Sequence, residues 1–312
     1  MVSEFISSQT KLHEAYGGVV PELASREHLA NLPILVEKAM EGVAYEDLSL
    51  IAVTSGPGLK GCLLIGVEFA KGLSLARGIP IVGVNHIEGH IVSAQISNSN
   101  LKPPYLCLVV SGGHTEIVQV DGIGSYKLLC RTLDDAAGEA FDKAANLLGF
   151  SYPGGASLAK CADSCRDDLK SKYKLPRVMR GEDAFSFSGL KTAVLLLVKK
   201  SAHELSSEEN RAALCWAVQE AIVDALIVKL KHAIKISAIN TVSVSGGVSA
   251  NHYLRAKVSQ LAGVEVFFPG KTHCMDNASM IAYLGLVRLN SGCKSSDKIS
   301  VLSRWPVEEM VK

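Results

Sequence analysis

The sequence lacks cysteine pairs at the spacing of a metal ribbon or a redox centre. Its eight cysteines are scattered, most of them inside apolar runs, and none forms a Cys-x-x-Cys pair. This excludes a zinc ribbon and a thioredoxin-type site. We expect free thiols in a reducing cytosol, because cytosolic proteins rarely carry disulfides.

Long apolar runs and a signal peptide are also missing. No apolar run approaches the roughly 20 residues that a membrane helix needs. The start, Met1-Val-Ser-Glu4, has neither the basic residues nor the apolar core of a signal peptide. We therefore expect a cytoplasmic protein that does not associate with a membrane.

There is no excess of charge of either sign. The chain has 32 basic and 31 acidic residues, which leaves a formal net charge of +1. Such a balance gives no general attraction to nucleic acid or to anionic lipid, so contact with RNA requires a local patch or a partner.

Two familiar nucleotide-binding patterns are absent: Gly-x4-Gly-Lys-Ser/Thr, and Gly-x-Gly-x-x-Gly between a strand and a helix. What is present instead is a glycine cluster at the end of each of three predicted strands, at 55–58, 111–113 and 245–247. One such cluster is usually only a turn. Two Ser-Gly-Gly turns, one in each predicted lobe, favour a nucleotide held between lobes with its phosphates contacted from both sides.

The length of 312 residues exceeds one ordinary hydrophobic core and predicts two domains. Strand signals at 49–54 and 79–84 enclose a helical stretch, an order that predicts parallel strands with covering helices. We expect two α/β lobes, 1–125 and 126–312.

The rest of the sequence also predicts a mixture of strands and helices. We predict a hairpin (105–110 with 114–120), a helix (136–148), loops and short helices (151–210), a long amphipathic helix (208–235), strands (241–245 and 264–268) and a final apolar helix from Asp276.

The stretch Asn85-His-Ile-Glu-Gly-His90 is the clearest metal pattern. Asn85 is a good N-cap, and residues four apart share a helix face, so His86 and His90 can reach one metal ion. A carboxylate from elsewhere is then expected as a third ligand. The spacing alone equally allows two surface histidines.

A metalloprotease has a similar helix, but there the glutamate directly follows the first histidine. Glu88 follows His86 by two residues, about 200° around the helix, and so points away from the metal face. The sequence disfavours a protease.

Two acidic features allow both a structural and a functional interpretation. The segment from Asp134 to Lys143 is either a solvated helix start or the source of a carboxylate for ribose hydroxyls. Asp276 is either a helix N-cap or the missing metal ligand.

Together these motifs closely resemble the tRNA N6-adenosine threonylcarbamoyltransferases, in their bacterial form, a family once described as O-sialoglycoprotein endopeptidases. The stretches that carry the resemblance are 16–28, 55–58, 86–90, 111–115, 134–143, 185–191, 245–251 and 276–278.

The resemblance implies a two-lobed actin-like fold, shared with sugar kinases and the Hsp70 ATPase domain. It implies transfer of the threonylcarbamoyl group from threonylcarbamoyl-AMP to N6 of adenosine 37, in tRNAs that read codons starting with A, with release of AMP. The alternative is a catalytically inactive nucleotide-binding scaffold of the same fold.

The resemblance also implies roles for particular residues and proteins. A single Fe²⁺ or Zn²⁺ ion would be held by His86, His90 and Asp276. The partners implied are tRNA, an inactive paralogue (TsaB type) and a small ATPase (TsaE type). The adenylate would contact Val109, Val110, Ser111, Gly112, Gly113, Asp142, Gly155 and Asn251.

In one respect the chain departs from the family. Relatives usually begin with a further strand and hairpin, carrying a segment like Glu-Thr-Ser-Cys-Asp-Glu-Thr, and this sequence starts downstream of it. We expect a truncation or a misassigned start, and a version extended upstream to be more stable and more active.

Overall fold

The computed structural model describes residues 1–177, 184–292 and 298–310. The α-helices in these ranges are α1 (Thr10–Glu14), α2 (Pro21–Ala39), α3 (Lys60–Arg77), α4 (His86–Ser97), α5 (Ala137–Leu147), α6 (Gly155–Asp163), α7 (Ser188–Lys200), α8 (Glu208–Ser237), α9 (His252–Ser259) and α10 (Ala278–Asn290). The strands are β1 (Ile51–Gly56), β2 (Ile81–Asn85), β3 (Tyr105–Val110), β4 (Thr115–Gly122), β5 (Ser125–Thr132), β6 (Ala184–Phe185), β7 (Thr241–Ser245) and β8 (Glu265–Phe267).

The chain divides into two compact units. The first comprises Met1–Lys102, Asp121–Lys127 and Met275–Lys312, and the second comprises Pro103–Val120 and Leu128–Cys274. The lobe boundary at residue 125 stays a prediction.

The first unit is built on a β-α-β arrangement. Strands β1 and β2 are parallel, with Ile51 opposite Ile81, and α3 connects them. Helix α3 ends at Arg77 and is capped by Gly78, whose left-handed conformation (φ 66°) suits glycine. Helices α4 and α10 pack against the sheet and each other through apolar side chains of β2, α4 and α10 (Val82, Val84, Val92, Met280, Ile281, Leu284).

The second unit contains a six-stranded mixed sheet in the order β6-β5-β4-β3-β7-β8. Strand β3 pairs antiparallel with β4 and parallel with β7. The side chains of β3 are fully buried, and the long helix α8 shares the same apolar cluster, in which Leu108 and Ile222 are fully buried. The core of this unit therefore lies along β3, the strand that leads into the Ser-Gly-Gly turn.

Most predicted elements are confirmed, among them the parallel strands, the hairpin and the long helix. The region 151–210 is more regular than predicted, because α6 and α7 occupy much of it. Helix α7 buries Leu190 and Val194, four residues apart on one face. Part of that prediction, at 178–183, lies outside the described residues, as does Cys293.

No helix in the described ranges has the length and apolar character needed to cross a membrane.

Candidate functional site

Helix α4 begins at His86 because Asn85 caps it. The Oδ1 atom of Asn85 accepts hydrogen bonds from the amides of Ile87 and Glu88, at 2.8 and 3.2 Å. Its Nδ2 atom donates to the carbonyl oxygen of Trp305 at 2.8 Å. The predicted N-cap is confirmed, and both ends of its amide hold the start of the helix in place.

The imidazoles of His86 and His90 meet the carboxylate of Asp276. Nε2 of His90 lies 3.0 Å from Asp276 Oδ1, and Nε2 of His86 lies 3.5 Å from the same atom. One donor atom from each residue falls within 4.8 Å of the others. Nδ1 of His90 is buried and has no hydrogen-bond partner. Two imidazoles and a carboxylate are an ordinary ligand set for iron or zinc, so the residues present fit a metal ion.

Burial differs among the three groups. The His90 side chain is fully buried and that of His86 is 21% exposed, whereas Asp276 is 74% exposed. Burial lowers the pKa of His86, an effect that the Asp276 carboxylate opposes and the neighbouring His90 reinforces. His86 is therefore mainly neutral near pH 7 and has a nitrogen lone pair to offer, so its contact with Asp276 is not a simple ion pair.

Asp276 does not cap the helix that follows it. Asn277 is the N-cap of α10, and its Oδ1 accepts from the Met280 amide at 2.8 Å. The interpretation of Asp276 as an N-cap is wrong. With capping done by its neighbour, the Asp276 carboxylate lies at the two histidines instead.

Glu88 lies away from this ligand set, as the helix geometry predicts. Its fully buried carboxylate accepts hydrogen bonds from Tyr126 and Arg288. Burial raises the pKa of Glu88, while Arg288 and Tyr126 act to lower it. A carboxylate engaged in this way is not placed to activate water at the histidines.

The sequence predicts one Ser-Gly-Gly turn in each lobe, but both turns belong to the second unit, where they lie side by side. Strands β3 and β7 run parallel with Val109 opposite Ser245, so the turns at 111–113 and 245–247 leave the same edge of the sheet. A Cβ atom added to Gly112, Gly113 or Gly247 would meet nothing within 4 Å. These turns are therefore open to an incoming ligand, at the carboxyl ends of parallel strands where α/β proteins commonly bind one.

Gly246 is needed for a different reason. Its φ is +87°, and an added Cβ would lie 2.4 Å from the carbonyl oxygen of Val110. Only glycine allows β3 and the β7 turn to approach so closely. The side chains of Val109 and Val110 are buried, so their predicted contacts with a ligand would come from backbone atoms.

Three further residues of the predicted adenylate site, Asp142, Gly155 and Asn251, form hydrogen bonds with one another or with neighbouring residues. Asp142 Oδ1 accepts from the Gly155 amide at 2.8 Å. Burial raises the pKa of Asp142, and the amides of Gly155 and Gly154 oppose that rise. Asn251 caps α9 through Leu254 N at 2.9 Å and donates to Gln219 Oε1 at 2.7 Å.

The acidic segment at 134–143 is partly exposed at the start of α5, and its carboxylates also have partners within the protein. Asp134 accepts hydrogen bonds from Ser186 and Ser188, while Asp135 and Glu139 both pair with Lys143, at 2.6 and 2.9 Å. Asp142 alone among the four carboxylates is bonded to a glycine amide of the predicted adenylate set.

Several residues around these sites were not singled out from the sequence. Thr115 Oγ1 accepts from Ala137 N at 2.8 Å and so fixes the start of α5. Gly138 donates to the Ser111 carbonyl at 3.1 Å, and a Cβ there would lie 2.6 Å from that oxygen. Arg288 and Tyr126 hold Glu88. The one signal in the sequence is the place of Glu88 between two histidines, in a helix with many apolar residues. A carboxylate buried in such a helix needs hydrogen-bond partners.

Solved structures with similar folds support the fold class. The chain aligns with full-length HypF in its phosphate- and nucleotide-bound form at a TM-score of 0.57 and 17% identity, covering 80% of this chain and 48% of that one. It aligns with HypF of T. kodakarensis at a TM-score of 0.58 and 14% identity, covering 85% and 44%. The predicted actin-like α/β fold is confirmed.

Other relatives are much more similar in sequence than these solved structures. The tRNA N6-adenosine threonylcarbamoyltransferase of Francisella tularensis subsp. novicida is 46% identical, over 98% of this chain and 93% of the relative. The enzyme of the same name from Nitrosospira multiformis is 44% identical, over 99% and 91%. The family model for tRNA N6-adenosine threonylcarbamoyltransferase matches residues 1–283. The chain therefore belongs to the tRNA N6-adenosine threonylcarbamoyltransferase family.

Proposed function

We propose that this chain transfers a threonylcarbamoyl group from threonylcarbamoyl-AMP to N6 of adenosine 37 in tRNA, releasing AMP. Membership of the family gives the reaction class, a transferase acting on tRNA. The observation that carries the proposal is the convergence of His86, His90 and Asp276 within 4.8 Å. The relatives named above are transferases and give no support to the scaffold alternative.

We assign His86, His90 and Asp276 as ligands of one Fe²⁺ or Zn²⁺ ion. Buried His90 would anchor it, and exposed Asp276 would complete the set from the solvent side. The bound ion would supply Lewis acidity toward a carbonyl or phosphate oxygen. Two imidazoles and a carboxylate suit either metal.

The donor's adenylate part would bind at the turns of the second unit. The open backbone at Gly112 and Gly113 supports this, because unobstructed amides can donate to phosphate oxygens. The Asp142 carboxylate would accept from a ribose hydroxyl with the lone pairs that the glycine amides leave available. Amides placed in this way would also stabilise AMP as the leaving group.

The surroundings of Asn251 fix its orientation. Its Oδ1 accepts from the Leu254 amide and its Nδ2 donates to Gln219. We propose that it shapes the wall against which the adenylate lies, together with Val109, Val110, Ser111 and Gly155.

Further proteins belong to the proposed reaction. The near-neutral charge of +1 gives no general attraction to RNA. We propose that tRNA binds with help from an inactive paralogue (TsaB type) and a small ATPase (TsaE type), in the cytoplasm.

Nucleoside mass spectrometry tests the reaction. Unmodified tRNA is incubated with this chain, the two helper proteins and freshly made threonylcarbamoyl-AMP, with the His86→Ala variant in parallel. We expect threonylcarbamoyladenosine with the wild type and little or none with the variant. Absence of product from the wild type would favour the inactive scaffold.

A further inference from the structure

The fully buried carboxylate of Glu88 joins three separate segments of the first unit. Tyr126 donates its hydroxyl to Oε1 at 2.7 Å. Arg288 donates from Nε and Nη2 to Oε2, at 3.0 and 2.6 Å. Glu88 thereby ties α4 to α10 and to the segment 121–127, on the side of α4 that faces away from the metal ligands.

Helices α4 and α10 pack closely at Gly89. A Cβ atom at Gly89 would lie 3.0 Å from Ile281 Cδ1 and 3.4 Å from Met280 Cγ. Along α10, Asp276 precedes this crossing and Arg288 follows it, about 15 Å beyond Ala278, the first residue of the helix. The contacts of Asp276 with the histidines and of Arg288 with Glu88 therefore hold α10 on either side of one crossing point.

The Glu88–Arg288 pair sets the angle of α10 more than it adds to the stability of the protein. A buried ion pair contributes little net stabilisation, because desolvation of both charges offsets most of their attraction. It does fix an angle, since the Arg288 guanidinium approaches Oε2 through two of its nitrogens. If α10 pivoted at Gly89, the Asp276 carboxylate would move away from both imidazoles.

We propose that Glu88 and Arg288 are positioning residues for the metal site, setting the angle of α10 so that Asp276 meets His86 and His90. The inference rests on the proposed assignment of those three residues as metal ligands. It gives the glutamate between the two histidines a role that is not the general base of a protease.

Cobalt binding measures this role without any assay of activity. Metal-free protein is titrated with Co²⁺, whose visible absorption reports ligand number and geometry, and Zn²⁺ is then added in competition. The main variant is Glu88→Gln/Arg288→Met, which removes both charges while keeping similar volumes. We expect about 10-fold weaker Co²⁺ binding and a changed visible spectrum. Arg288→Lys keeps the positive charge but loses the planar guanidinium. Its Co²⁺ affinity should lie between those of the wild type and the double variant, and it replaces the double variant if that protein does not fold.

Two control variants separate positioning from other effects. Glu68→Gln/Lys71→Met removes an exposed pair in α3, and Val67→Ala opens a cavity at a fully buried site in the same helix. Both should bind Co²⁺ as the wild type does, with Val67→Ala lowering the melting temperature.

Each outcome decides between the alternatives. Unchanged affinity and spectrum in the double variant would overturn the inference, as would an equal loss in Val67→Ala, which would mark a general effect of destabilisation. A wild type that binds no Co²⁺ would instead overturn the metal site, and the inference with it.

Discussion

The Oδ1 atom of Asp276 lies 3.0 Å from Nε2 of His90, although 186 positions separate the two residues in the chain. His90 belongs to α4, and Asp276 directly precedes the N-cap of α10. The close packing of these helices thus brings a carboxylate to a histidine pair that could not hold a metal ion alone.

Alanine variants of Asp276 and Asn277 should separate the loss of metal affinity from the loss of stability. Asp276→Ala removes an exposed carboxylate that is not the cap, so the metal-free protein should unfold within about 0.5 kcal/mol of the wild type. Its Co²⁺ affinity should fall on the order of 100-fold or more, because loss of a hydrogen-bond partner of a ligand already costs about 10–100-fold and here a proposed ligand itself is lost. Asn277→Ala should lower the free energy of unfolding by about 1 kcal/mol, because it removes a cap. Urea unfolding and Co²⁺ titration check both, and a strongly destabilised Asp276→Ala would contradict this division.

Asn85→Ala should weaken the start of α4. Loss of the cap and of the hydrogen bond to Trp305 should lower the free energy of unfolding by about 1–2 kcal/mol. Metal affinity should fall as well, because the first helical residue, His86, is a proposed metal ligand. Asn98→Ala is the matched control, since Asn98 donates to the Ala94 carbonyl at the far end of the same helix. An equal loss of metal affinity in both variants would contradict the role given to Asn85.

The adjacent glycines Gly246 and Gly247 should respond differently to alanine. Gly246→Ala should destabilise the protein by about 2–4 kcal/mol, because the backbone is strained for other residues and the new methyl meets the Val110 carbonyl. Gly247→Ala meets open space and should leave stability nearly unchanged.

The same pair tests the adenylate site. If the turn faces the donor, Gly247→Ala should raise the KM for threonylcarbamoyl-AMP several-fold while the melting temperature stays the same. An unchanged KM would place the adenylate elsewhere.

Asp134 should make stability depend on pH. Burial is the largest single influence and acts to raise the pKa of Asp134, but the hydrogen bonds from Ser186, Phe187 and Ser188 together outweigh it and lower that pKa. A lowered folded-state pKa gives stabilisation that is present above the unfolded pKa of about 3.9 and is lost as pH falls through the folded value. Asp134→Asn should therefore be less stable than the wild type at pH 6, by about 0.5 kcal/mol because solvent screens this exposed carboxylate, with the gap shrinking below pH 4.

Urea unfolding at pH 6 and pH 3 measures this gap. Asp163→Asn, at an exposed position at the end of α6, is the control and should differ little from the wild type at either pH. A gap for Asp134→Asn that is the same at both pH values would contradict the ionic origin of the effect.

Sequence periodicity predicted the elements with strong local signals. The buried strand β3 and the long helix α8 were found because apolar residues repeat at the right spacing, and Asn85 because capping depends on neighbouring residues. Helix α7 was not placed individually, because its apolar positions lie beside a stretch rich in glycine, serine and charge, which predicted only loops and short helices.

Long-range partners could not be predicted from local patterns. Nothing in the sequence near Glu88 points to Arg288, which lies 200 positions away, and only the packed helices bring them together. Likewise the choice of Asn277 over Asp276 as the cap depends on backbone direction, since either side chain can cap a helix. Residue type thus indicated His86, His90 and Asp276 as candidate metal ligands, and tertiary packing brings them together.

The central claim is that a metal ion held by His86, His90 and Asp276 is required for threonylcarbamoyl transfer to tRNA. The most direct test measures threonylcarbamoyladenosine by mass spectrometry with chelator-treated protein, before and after Fe²⁺ or Zn²⁺ is restored. The helper proteins, tRNA and threonylcarbamoyl-AMP are held constant, and His90→Ala is treated in the same way. We predict that product is lost on chelation and returns with metal in the wild type but not in His90→Ala. Full product formation by the chelated wild type, or its recovery in His90→Ala, would contradict the account.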